Sequence, residues 1–278
     1  MKAFLRRILR RCIKHGYKLP LGVRARNQFL VLEREVSINK VLSTLSPNGV
    51  VLSGPFKGMR YPWFKSAGSV VAPKILGTYE KELQPIMLRP AFQLYSKVVD
   101  IGAAEGYYAV GSALRNTKAQ VHAFEANEVA CGLLREMCVL NAVEQRVRVS
   151  GYCDTKALAE TAVAERGLVI CDVEGYELEL LGGPFIRKSD RFDLLVETHD
   201  FVHSGVTAAL IARFQASHCI QVIHSTERTC RDFPIQCDSL QPFEKLYSLH
   251  EGRPCPMTWL WMQSKNLSQS CGGSRRLN

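Results

Sequence analysis

The chain has 278 residues, 46% of them hydrophobic, with ordinary glycine and proline content and a formal net charge of +10. That length holds one large α/β domain with a modest extension, and no apolar run reaches the ~18 residues of a membrane-spanning helix. Its ten cysteines are scattered without a C-x-x-C pair or a clustered His/Cys spacing, which argues against a disulfide framework and a structural zinc and for a reducing, cytoplasmic compartment.

The charge belongs to one segment. Residues 1–26 carry nine Lys and Arg and no acid, leaving 27 basic against 26 acidic residues elsewhere. Phe4, Leu5, Ile8, Leu9, Cys12 and Ile13 alternate in pairs with Arg6, Arg7, Arg10, Arg11 and Lys14, a basic amphipathic helix. Such a helix suits an anionic membrane surface, and residues 2–18 would make the protein peripheral there. Docking on the protein's own core, a mitochondrial transit peptide and a nucleic-acid arm stay open as readings of the same pattern. The arginines interrupting the apolar residues exclude a secretory signal peptide.

Residues 27–95 form a cap or extension. Gly49–Pro62 reads as a hairpin around a Gly-Pro turn, and Thr78–Phe92 as a helix with Thr78 as its N-cap and Glu80 and Glu82 in its first turn. From 96 to 265 strands and helices alternate, which predicts a parallel sheet with helices on both faces. Strands are expected at 97–101, 119–124, 147–152, 168–172, 193–198, 219–224 and 258–263. Helices are expected near 106–115, 127–141, 155–165, 174–182 and 205–217. The last strand follows an irregular Pro- and Cys-containing stretch without a clear helix, as an antiparallel edge strand would. The polar tail 266–278 is expected to be disordered.

Val98–Ala113 runs from an apolar strand through an acid and a glycine turn into a helix. Asp100, Gly102 and Gly106 give D-x-G-x-x-x-G, where glycine permits a sharp turn close to a ligand and the helix N-terminus opens on the same spot. The dinucleotide fingerprint would need glycine at 104 and 107, where Ala104 and Tyr107 stand. The spacing is that of S-adenosylmethionine (SAM) enzymes. Glu125 ends the second strand, where an acid can accept both ribose hydroxyls; its bland reading is a helix cap or loop acid. Asp172 and Glu174 end the fourth strand, and Glu197, His199 and Asp200 the fifth, all on the same carboxyl edge. Grouped acids and an imidazole suit acid–base work or metal binding, although Glu174 could cap a helix and Asp200 start a turn.

DIGAAEGYYAV, AFEAN, Asn141 in VLNAV, CDVEGYELELL and VETHD resemble, in order and spacing, the FkbM-type SAM-dependent methyltransferases, over roughly residues 95–225. The resemblance implies a Rossmann-like, seven-stranded class I methyltransferase sheet and O-methylation of sugars, polyketides or related metabolites. It places Asp100, Gly102, Ala103 and Gly106 around the methionine part of SAM, Glu125 at the ribose and Asp154 at the adenine, with Asp172 also near the cofactor. Glu105 departs from the family, standing where asparagine is common. For a hydroxyl acceptor His199 is the best base by intrinsic pKa. Asp172 and Glu197 could hold it, or Asp172, Glu174, Glu197 and His199 could bind Mg²⁺.

A small-molecule, glycan or lipid-linked acceptor is therefore expected. A nucleic-acid methyltransferase would explain the basic arm, but the chain lacks an N/D-P-P-Y element, a Pro-Cys nucleophile and a phosphate track on its near-neutral body. A NAD-dependent oxidoreductase does not fit the glycine spacing. A non-catalytic SAM-fold interaction protein would not need the later acids.

Overall fold

The computed structural model describes residues 23–62 and 66–270. Helix α1 spans Val23–Leu45, α2 Val71–Leu76 and α3 Gln84–Leu88. The alternating region then runs β1 (Lys97–Ile101), α4 (Tyr107–Arg115), β2 (Gln120–Phe124), α5 (Glu128–Leu140), β3 (Val147–Ser150), α6 (Thr155–Thr161), β4 (Gly167–Cys171) and α7 (Glu177–Leu180). It continues through β5 (Phe192–Thr198), α8 (Val206–Phe214), β6 (His218–His224), α9 (Pro242–Leu249), β7 (Thr258–Ser264) and α10 (Lys265–Ser270).

The strands form one sheet of order β3-β2-β1-β4-β5-β7-β6. The first five neighbours pair in parallel, and β7 runs antiparallel between β5 and β6. The fold is thus a mostly parallel, Rossmann-like seven-stranded sheet with helices on both sides. Alternation along each strand divides the core. Val98, Leu168, Leu195 and Trp259 face one cluster with Tyr107, Val110, Leu134 and Met137 of α4 and α5. Val99, Val169, Val196 and Leu260 face the other, with Leu158, Leu180, Leu210 and Phe214 of α6, α7 and α8. Strands buried on both faces need near-continuous apolar runs, which VVDI, LVIC and LLV supply. The antiparallel β7 falls where the sequence placed an edge-type strand, although it is internal: β6 takes the edge.

The N-terminal region departs furthest from expectation. A 23-residue helix, α1, opens a region in which no helix was expected before Thr78. The expected hairpin is a single antiparallel bridge between Val50 and Arg60. The helix expected over 78–92 is broken into a 3-10 turn at Lys81–Leu83, α3, and a second 3-10 turn at Pro90–Leu94. Pro85 and Pro90 each open a helical piece, because proline lacks the N–H that a continuing helix would need. Thr78 does not cap it; its hydroxyl bonds the Pro73 carbonyl. Phe56, Met59, Ile75, Leu83, Met87 and Phe92 join the core of the α4 side, so this segment shares a core with the sheet.

Two further differences lie near the end. Helix α9 occupies the stretch read as irregular, capped by Gln241 and Glu244. The chain is helical to Ser270 where composition predicts disorder from 266. The amphipathic arm over 2–18, and 271–278, lie outside the described residues. No helix among the described residues is long and apolar enough to cross a membrane.

Candidate active site

The carboxyl ends of β1, β2, β4 and β5 open on one cavity of about 620 Å³, lined among others by Asp100, Gly102, Ala103, Glu125, Asp172, Glu174, Glu197 and His199. Parallel registers do this: Ile101 pairs with both Phe124 and Cys171, so the residues that follow leave the sheet side by side. A Cβ on Gly102 would sit 1.7 Å from the carbonyl oxygen of Asp172, and its φ is +80°. That glycine is dictated by the approach of two strand ends, before any ligand is considered.

The turn is further tied from below. Oε2 of Glu125 accepts the Ala104 N–H at 2.7 Å and Oε1 the Asn127 N–H at 2.7 Å. Each carboxylate oxygen keeps a second lone pair for another donor. Asp100 is 2% exposed, its Oδ2 has no hydrogen-bond partner, and burial pushes its pKa up to about 7.

Two sequence-derived positions stand elsewhere. Gly106 is outside the cavity lining; it is the N-cap of α4, where a Cβ would meet Leu134 at 2.2 Å. Asp154 is exposed and caps α6, accepting the Ala157 N–H at 2.7 Å, and does not line the cavity. An acid just before a helix satisfies orphan N–H groups, and the Asp154 carboxylate is engaged in that way. Tyr152, Cys153 and Tyr176 line the cavity, with the two tyrosine rings 6.1 Å apart.

On the β4–β5 side the expected residues converge. His199 is 1% exposed; its Nδ1 lies 2.5 Å from Oε1 of the fully buried Glu177. Its Nε2 faces Oδ1 of Asp172 at 3.5 Å, Oε2 of Glu174 at 3.4 Å and Oε2 of Glu197 at 3.8 Å. Burial works against protonation of His199, but the Glu177 hydrogen bond and the surrounding carboxylates raise its pKa overall. Burial, then repulsion from Glu80, raises Asp172 to about 7. Burial and Asp172 raise Glu197 to about 8 against the pull of Arg253. These acids take and release protons near neutrality, the range useful to a general base. Asp200 turns away from the group and holds the start of α8, bonding the N–H of Gly205 and Thr207.

Sequence reading missed the wall opposite. Arg253 donates to Glu80 at 2.5 Å, Glu197 at 2.6 Å and Glu251 at 2.8 Å. Arg228 pairs with Glu82 at 2.7 Å and Glu251 at 2.6 Å. Glu80, expected as a first-turn helix acid, instead sits at φ +44°, 2% exposed, and also accepts the Tyr108 hydroxyl. Glu177 was missed too, although it follows Glu174 in the D-V-E-G-Y-E string with the i, i+3 spacing of a helical face.

No protein-family model and no curated protein sequence matches the chain. The chain is similar in structure to precorrin-6y C5,15-methyltransferase from Geobacter metallireducens GS-15, at 13% identity and TM-score 0.43, covering 62% of this chain and 81% of that one. It is similar to a protein provisionally named an O-methyltransferase from Klebsiella pneumoniae, at 12% identity and TM-score 0.45, covering 82% and 90%. It is also similar to TrmN from Thermus thermophilus, at 14% identity and TM-score 0.43, covering 69% of this chain and 48% of that one. At such values the likeness concerns the arrangement of the chain, and no residue role or substrate is carried over from it.

Proposed function

We propose that this chain transfers the methyl group of SAM to a hydroxyl oxygen. The observation that carries the reading is the shared cavity: a glycine turn with Glu125 beside it on one side, and the Asp172–Glu197–His199 group on the other. Glu125 retains acceptor capacity for ribose hydroxyls, and the unpartnered Oδ2 of Asp100 suits the ammonium of the methionine moiety. Tyr152 and Tyr176 offer ring faces for the adenine.

Methyl transfer from a sulfonium is an in-line displacement: the acceptor oxygen bonds to the methyl carbon as the S–CH₃ bond breaks and its electrons return to sulfur. Alignment supplies much of the rate, and a weak hydroxyl nucleophile gains from a base that takes its proton. His199, held through Nδ1 by Glu177, presents Nε2 for that proton, and the Glu177 carboxylate stabilises the resulting imidazolium. Sugars, glycolipids and polysaccharide precursors are the acceptor class that the FkbM resemblance suggests. An arm over residues 2–18 that binds anionic lipid would bring a lipid-linked acceptor to the cavity; unchanged liposome binding after its deletion would remove that part of the proposal.

The decisive experiment is calorimetric titration of the full chain with SAM, with NAD as control and Glu125→Ala beside it. Saturable SAM binding, absent for NAD and weakened at least about tenfold by the variant, is the expected result. Folded protein that ignores SAM overturns the reading.

A further inference from the structure

We infer that Asp172, Glu174 and His199 form a site for one divalent first-row transition-metal cation, with Mn²⁺ as the probe ion, in preference to Mg²⁺. One donor atom from each of these residues lies within 4.8 Å of the other two. Donors sharing an ion at ~2.1 Å stand no more than ~4.2 Å apart. The His199 Nε2 distances of 3.5 and 3.4 Å already meet that limit. Glu174, 80% exposed at its side chain, has the freedom to close the remainder.

The cluster is more than a group of acids. His199 is almost fully buried, and its Nδ1 is occupied by Glu177, which is itself held by the Gly175 N–H at 2.9 Å. A carboxylate on one ring nitrogen fixes the tautomer and aims the lone pair of the other, the usual support for a metal-binding imidazole. That second nitrogen points at Asp172, whose buried Oδ1 has no hydrogen-bond partner. A cation satisfies both atoms at once.

The same geometry narrows the four residues suggested by sequence to three. Glu197 is not part of the close group, although its Oε2 lies 3.8 Å from Nε2, and its other oxygen is held by Arg253 at 2.6 Å. Two carboxylates and an imidazole also change the choice of ion. Mg²⁺ favours oxygen ligands and keeps its waters, whereas Mn²⁺ accepts carboxylates and imidazole supports later first-row metals. An ion on Nε2 displaces His199 as the proton acceptor; what the ion then does, lowering the pKa of the acceptor hydroxyl so that water takes its proton, rests on the methyl-transfer reading. Its binding does not.

The test uses the full chain, stripped with a chelator and free of SAM, titrated with Mn²⁺ and separately with Mg²⁺ while free Mn²⁺ is read by electron paramagnetic resonance. One Mn²⁺ per chain is expected, with binding weakened at least about tenfold in Asp172→Asn and His199→Gln and retained in Glu179→Gln, an exposed acid outside the group. Spin-echo modulation of the wild-type Mn²⁺ complex should show an imidazole nitrogen, a readout independent of whether the variants fold. No saturable binding, no nitrogen coupling, or equal binding by folded variants would overturn the site in favour of carboxyls sharing protons. SAM binding without Mn²⁺ binding would sink this inference alone; the reverse would sink the methyl-transfer reading alone.

Discussion

Lys74 of α2 and Glu105 of the glycine turn meet at 2.5 Å with side chains only 3% and 1% exposed. Tyr61 and the Ala67 N–H complete the shell of Glu105. The N-terminal region thus reaches the glycine turn through a buried ion pair, with Glu105 as its anchor. Burial alone would raise the pKa of Glu105, but Lys74 holds it below the ordinary value of 4.5.

Removing either partner leaves a charge buried and unpaired. Glu105→Gln and Lys74→Met should each cost about 3–5 kcal/mol, and the double change to apolar residues should recover part of it. Because the folded pKa of Glu105 lies below the unfolded one, its contribution is present above about pH 4.5 and is lost as pH falls through the folded value. Urea midpoints at several pH values, read against the two single variants, check both statements.

Gly102→Ala places a Cβ into the Asp172 carbonyl and a side chain at φ +80°. Strain alone costs about 1–3 kcal/mol, and the clash must push β1 and β4 apart. A large fall in melting temperature is expected, together with loss of SAM binding. Retained stability would show that the turn relaxes freely.

Asp100 is a second case of linkage, with the opposite sign. Its folded pKa of about 7 exceeds the ordinary 3.8, so the folded state binds more protons between those values and stability falls as pH rises through 7. Glu80, Asp172 and Glu197 add to the same trend. Asp100→Asn should melt higher than the parent at pH 8, lose part of the difference between pH 6 and pH 8, and bind SAM more weakly. Scanning calorimetry at the two pH values reads all but the last, which calorimetric titration supplies.

Arg253→Lys keeps the charge but not the fork that reaches Glu80, Glu197 and Glu251 together. Arg253→Gln should cost about 3–5 kcal/mol and the lysine variant less, since one ammonium can serve one or two of the three acids. Chemical denaturation of both variants beside the parent ranks them.

Asp154→Ala should cost about 1 kcal/mol through loss of the α6 cap and leave SAM affinity within about twofold. A larger loss of affinity would return Asp154 to the adenine site that its sequence position suggested.

The alternating region was legible because its signals are local. Val98–Ile101, Leu168–Cys171 and Leu194–Val196 are short β-branched or leucine-rich runs followed by glycine or acid, the kind of run a strand buried on both faces needs. Asp172, Glu197 and His199 could be assigned to one edge for the same reason: consecutive parallel strands end on the same side. The helices α1 and α9 were not legible in isolation. They pack on one another through a contact far apart in sequence, with Lys40 bonded to Glu244 at 2.9 Å and Val41 packed in one cluster with Leu249.

Sequence by itself therefore determined the sheet, the position of the glycine turn and which side chains end its strands, because periodicity and turn chemistry act within a few residues. Only the tertiary structure decided which of those side chains touch. Glu177, Glu80, Arg253 and Lys74 come from separate segments, and their protonation and pairing follow from burial beside charges many residues away. Asp154 shows the converse: beside a residue that lines the cavity, its carboxylate is held by an N–H only three residues along the chain.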